Sequence, residues 1–461
     1  LKVMADFSEK NPEKLETLAQ NNSDQIEKLT ISAVEEAASS QEDADLIAKV
    51  VASASDDLVN KVVDEVSKNS IEKNQTLSAH VLKAIVDSES GKIDIINNDV
   101  KDIMIKQTIQ SAQNQAGGTG VQQTQDMTSI VSDIIVNTNT ETGSKMIEEV
   151  NNSSTDTEND LSLQVISAIS EKDTTKLNTL SENNKEQIDT LTQSAVKNAG
   201  SSQESADLIA KVVANASDDF ANQIISEVTK NSTDENQALS AKVMKSIVET
   251  NPDKIENLND ENKDNLISQT IEAAKNQAEG TSSDELDLSN TIAEIVTNSD
   301  TGTAAKVLES LEEASNDSDS KLSLSVVSNL TKQENYEEKM EILSVTSSVV
   351  DQSINTLIEK AVENASSEED LELVTDIVEN SKGSLGDKIV NSANKSEESK
   401  KKITEIIVKV VEKNPEKAVE IIEKNKNTNA VLETVKSKIE KGEAVSTDDF
   451  EEVFKTNVSP N

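Results

Sequence analysis

The residues best suited to chemistry in this chain are carboxylates, and two stretches space them at alternate positions. "STDTEND" at 154–160 offers Asp156, Glu158 and Asp160, and "NDSDSK" at 316–321 offers Asp317 and Asp319. Oxygen ligands so arranged suit a calcium ion. A helix–loop–helix calcium site also needs glycine at its sixth position and glutamate at its twelfth, and neither stretch has both. Equivalent loops elsewhere read "SIEKN" and "STDEN", with fewer ligands. These stretches are therefore read as turns that cap helices. Low-affinity Ca2+ binding is the one cofactor chemistry they suggest.

His80 is the single histidine, and its counterparts in the internal repeats described below are Gln164, Lys242 and Ser325. A general base or metal ligand needs fixed partners, so His80 is expected to be a solvated helix position. Paired carboxylates are common enough for acid–base hydrolysis of sugars. Sugar sites also use aromatic platforms, and Tyr336 with four phenylalanines must serve the whole chain. Glycine-rich phosphate loops and a Ser/His/Asp set are absent from the sequence. The chain is not expected to be an enzyme. Phe450 and Phe454, four residues apart, are expected to pack in a core or to form an aromatic interface for another chain.

Charge narrows the partners. The chain has 44 basic residues, all lysine, against 87 acids, for a net charge of −43. Such a chain repels nucleic acid and anionic membranes. There is no cysteine, and no apolar run is long enough to span a bilayer. Low hydrophobicity with high charge is also a signature of disorder, so the arrangement of the apolar residues has to decide.

That arrangement is repetitive. "ADLIAKVVA" occurs at 44–52 and again at 206–214, and residues 18–116 align without a gap on 180–278 with about 55 of 99 positions identical. A looser match relates 46–66 to 130–150. The unit is therefore about 81 residues and the double unit about 162. Boundaries fall at 1–10 (partial), 11–88, 89–172, 173–250, 251–331, 332–413 and 414–461 (partial).

Within a unit the apolar residues recur at helical spacing: Leu46, Val50 and Ala54 flanked by Ile47 and Val51, then Leu58, Val62 and Val66, then Leu77, Val81 and Ile85. Asp45 and Lys49 are expected on the wet side. Start signals lie between the stripes: Asn-Pro at 11, 251 and 414, and the capping-box forms Ser39-x-x-Glu42 and Ser201-x-x-Glu204. These features predict an all-α protein with about five short helices per unit, near 12–20, 23–38, 41–54, 56–68 and 75–87. Helices so short need neighbours, so the expected architecture is an α-solenoid. If every helix alternated in direction, five per unit would invert the next unit. That inversion, or recent duplication, would explain why the longer period is the sharper one.

Residue 1 aligns inside a repeat helix, and Ser459-Pro460 reads as the start of another. The expectation is a window onto a longer repeat protein, or half-units that complete each other head to tail. The functional expectation is a structural, self-assembling segment of a rod- or filament-forming protein, extracellular or at the cell surface. Its partner would be itself or adjoining repeats. The alternative is a scaffold that binds a protein or peptide on its concave face.

Overall fold

The computed structural model describes residues 1–11, 14, 17, 21–37, 40–72, 76–89, 91–116, 126–153, 161–199, 202–232, 236, 238–280, 286–314, 321–346, 356–357, 367–380, 405–406, 408–424 and 436–446. They form an all-α solenoid, and no strand occurs among them. Two compact units divide the chain, Leu1–Asn231 and Ser232–Asn461.

The first unit begins with α1 (Lys2–Lys10), α2 (Ser23–Glu35), α3 (Gln41–Ser53), α4 (Asp56–Glu72), α5 (Leu77–Glu89), α6 (Lys92–Ile95) and α7 (Asn98–Ala116). It continues through α8 (Met127–Asn137), α9 (Thr140–Ser153), α10 (Leu161–Lys172), α11 (Thr174–Asn183), α12 (Lys185–Ala199), α13 (Gln203–Asn215) and α14 (Asp218–Asn231). The second unit holds α15 (Leu239–Thr250), α16 (Asp253–Glu256), α17 (Asp260–Ala278), α18 (Leu288–Asn298) and α19 (Thr301–Ala314). It also holds α20 (Lys321–Lys332), α21 (Tyr336–Thr346), α22 (Glu368–Asn380) and α23 (Pro415–Lys424).

Packing sorts the helices of the first unit into two layers. One layer is the series α1, α3, α5, α8, α10 and α13, each helix against the next. The other is α2, α4, α7, α9, α12 and α14. In the second unit α15, α18, α20 and α22 form one layer, and α17 packs on α19 in the other. Links of two residues, such as Ala54–Ser55 and Thr138–Asn139, leave room only for antiparallel neighbours. The building block is thus an αα-hairpin, and each 81-residue sequence unit contains two of them.

The remaining short helices take no place in either layer. α11 packs chiefly against α10 and α12, its chain neighbours, and α6 against α5 and α4. They are connectors inserted where one layer helix hands over to the other layer. Four layer helices per unit restore the chain direction, so the inversion expected from five does not arise. What alternates is length. The connector has four residues in α6 and α16 but ten in α11, and the layer helix after it has 19 in α7 and α17 but 15 in α12. This alternation accompanies the sharper 162-residue period.

The buried stripe matches its periodicity with a rotation of one position. Ile47, Val50, Val51, Val62, Val66, Leu77, Val81 and Ile85 are at most 1% exposed, whereas Leu46 is half-buried and packs on the cluster of Met4, Ala5 and Val50. Asp45 and Lys49 are exposed. The caps also shift by one. Ser40 accepts from Asp43 N and Ser202 from Ser205 N, while Ser39 and Ser201 lie outside the described residues. The helix expected at 12–20 is mostly outside them as well. Asn414 does cap the helix opened by Pro415, accepting at 3.1 Å from Lys417 N. Asn11 and Asn251 end the preceding helices α1 and α15, and their carbonyls accept from Lys14 N and Lys254 N in the turns that follow.

Candidate functional site

The features that recur in this structure join one hairpin to the next. Along one edge the turns between layer helices are tied together by connector side chains. Lys92 of α6 reaches back and donates to Ala54 O at 3.1 Å, the carbonyl that ends α3. In the other direction Asn139, in the turn between α8 and α9, donates through Nδ2 to Asp94 Oδ1. Asn60 of α4 holds the end of the connector, donating to Ile95 O at 3.2 Å and accepting from Asn97 N at 2.5 Å.

The next connector repeats the arrangement with different residues. Lys176 of α11 donates to Thr138 O at 2.6 Å, the carbonyl that ends α8, and Asn178 Oδ1 accepts from Ser217 N at 3.0 Å in the turn before α14. A polar seam therefore runs from turn 54–55 through α6 to turn 138–139, then through α11 to turn 216–217. In the second unit Lys339 of α21 donates to Ser299 O, which ends α18. The physical reason is common to all three. The residues that end these helices, Ala54, Thr138 and Ser299, have extended backbone, so the final carbonyls leave the helix without an internal partner. An ammonium suits both those carbonyls and the negative end of the helix.

The connectors depend on this seam. α11 buries only Leu177 and Leu180, and α6 only Ile93. With so little apolar contact, intrahelical and seam hydrogen bonds carry a larger share of what holds α11 in place.

A second recurrent device sits inside the layers. Ser70 and Ser78 hydroxyls lie 2.8 Å apart, Ser78 Oγ donates to Gln107 Oε1 at 2.6 Å, and Gln107 Nε2 donates to Ser67 O at 2.8 Å. The same set returns 162 positions later: Ser232 and Ser240 are 2.6 Å apart, and Ser240 donates to Gln269 at 2.7 Å. The first set joins α4 and α7, successive helices of one layer, through α5 of the other.

Ion pairs form rungs between neighbouring helices of a layer. Examples are Lys61–Glu27 at 2.5 Å, Lys145–Asp102 at 3.0 Å and Lys306–Asp264 at 2.7 Å. Asp133 is held from both sides, by Lys83 at 3.5 Å and Lys172 at 2.6 Å, and Asp376 likewise by Lys332 and Lys413. Three rung lysines and two seam lysines are shifted in opposite senses. Hydrogen bonds donated to Glu27, Asp264 and Asp376 hold Lys61, Lys306 and Lys413 above their ordinary 10.5. Burial pushes Lys176 and Lys339 below it, against the pull of Asp173 and Asp300.

A raised lysine contributes stability that is complete below 10.5 and is lost as pH climbs through its folded value. A lowered one carries a burial cost at every pH below its folded value, and that cost is relieved as pH approaches 10.5. Thermal unfolding followed from about pH 9 to about pH 12 is therefore expected to hold or rise slightly to 10.5 and to fall beyond it. A fall beginning at pH 9 would mean that the lysines do not govern alkaline stability. Each exposed rung is weakened by solvent screening, so the slope comes from their number.

The residues singled out in the sequence fare differently. Asp156, Glu158, Asp160, Asp317, Asp319, Phe450 and Phe454 all lie outside the described residues. Among the described residues no three or more His, Cys, Asp or Glu side chains converge to hold a metal ion, and no helix is long and apolar enough to cross a membrane. The solvated reading of His80 does not hold, because it is 7% exposed, as is its counterpart Lys242. This register lies between adjacent helices of one layer: Gln164 there accepts from Thr128 of the preceding helix at 3.2 Å. The seam lysines were missed. Each of the three, Lys92, Lys176 and Lys339, precedes Ile, Leu or Met, but so do Lys28, Lys145 and Lys321, so the dipeptide alone does not mark them.

No family model matches the sequence, and no curated protein matches it. Among solved structures, the chain is similar to a "circular tandem repeat protein with novel repeat topology and enhanced subunit contact surfaces". Identity is 15%, covering 95% of this chain and 86% of that one, with a TM-score of 0.26. A second similarity is to a protein described under "computational design of self-assembling cyclic protein homooligomers". It has 12% identity, covers 74% and 99% of the two chains, and has a TM-score of 0.13. At these TM-scores neither likeness decides topology or role.

Proposed function

We propose that this chain is a structural, self-assembling repeat protein, a segment of a larger rod- or filament-forming protein outside the cell or on its surface. It works by assembly rather than catalysis, and its partner is another copy or adjoining repeats. The observation that carries this reading is the seam from turn 54–55 to turn 216–217, in which α6 and α11 are each tied to the hairpins before and after them. Repeats joined this way transmit load along the stack. The net charge of −43 opposes side-by-side clumping at moderate salt.

Electron microscopy and light scattering across salt and calcium concentrations test the proposal. Linear polymers or concentration-dependent growth are expected. A monodisperse monomer under every condition overturns it.

A further inference from the structure

We propose that the connectors are straps, each closing one unit by spanning the two flanking turns, so that the stack yields first at its connectors. In α11 the strap is fastened at both ends, by Lys176 on Thr138 O at 2.6 Å and by Asn178 on Ser217 N at 3.0 Å. Between these points only Leu177 and Leu180 are buried, whereas α15 buries nine residues and α13 six. α11 packs chiefly on its two chain neighbours, so it can lift without parting the hairpins stacked in either layer. α6 has the same design with fewer residues: Lys92 fastens it to Ala54 O and Asp94 to Asn139, around Ile93. Local opening follows the segment with the fewest buried contacts and the fewest tethers. An array built this way has one compliant point per 81 residues and stiff hairpins between.

Hydrogen exchange of the whole 461-residue chain, read by mass spectrometry at low concentration, tests this. Exchange in the dispersed chain is independent of polymer formation, so the strap and the assembly stand or fall separately. Amides of α11 are expected to exchange at least about tenfold faster than those of α10. Lys176→Met is expected to speed α11 and residues 138–139 by a further factor of about ten, with α10 unchanged. Lys176→Arg keeps the donor and is expected to restore protection, and Lys185→Met, an exposed site on α12, is expected to change nothing. Protection of α11 equal to that of α10, or a K176M effect that is absent or uniform over all helices, overturns the proposal. If K176M loses helicity at large, Asn178→Ala applies the same test from the other fastening. Global unfolding in both variants also overturns it, since a strap opens without melting its layers.

Discussion

Replacing Ile134 by Asp is expected to destabilise the hairpin of α8 and α9 by more than about 4 kcal/mol, yet to leave distant hairpins folded. Ile134 is fully buried near the end of α8, in the layer between α5 and α10. A carboxylate at this fully buried position is removed from bulk solvent, so it must be buried charged or bind a proton at a cost. In an ordinary globular domain that loss would unfold the whole chain. In a stacked array each hairpin depends on its neighbours alone, so the damage spreads one or two hairpins in each direction. Thermal melting followed by circular dichroism is expected to split into an early partial loss of helicity and a later transition near that of the parent chain. A single transition lowered as a whole would show that the first unit is one cooperative body.

Gln107→Leu is expected to cost about 1–3 kcal/mol, read as a lowered urea midpoint. Gln107 accepts from Ser78, which is fully buried, and donates to Ser67 O. Leucine matches its bulk but offers neither group, so the Ser78 hydroxyl loses its acceptor where water cannot replace it. The companion change Ser78→Ala removes that hydroxyl, so the double variant is expected to lose less than the sum of the singles. Gln269→Leu is expected to repeat the effect in the second unit, because Ser240 and Gln269 form the same bond at 2.7 Å. Strict additivity of Q107L and S78A would remove the coupling argued here.

Much of this design was legible in the sequence. The period of about 81 residues and the stripes of Ile47, Val50 and Val51 or Leu77, Val81 and Ile85 specify amphipathic helices, because burial on one face imposes helical spacing on apolar residues. Helix starts were legible to within two residues, as Ser40, Ser202 and Leu77 show. Adjacent serines are equivalent by type, and geometry alone chooses between them.

The tertiary structure decided which helices count. Five stripes per unit look alike along the chain, but α6 and α11 stand outside the layers, because membership depends on contacts made some 35 to 50 residues away. The fates of His80 and Lys176 were decided at the same level. A polar residue on a helix is solvated or buried according to what packs over it. A lysine becomes a strap only where a turn some 40 residues distant presents a carbonyl within its reach. By itself the sequence determined that the chain is a helical repeat, since periodicity is a local consequence of one-sided burial. How one repeat holds the next, and where the stack is weakest, came from side chains that meet only after folding.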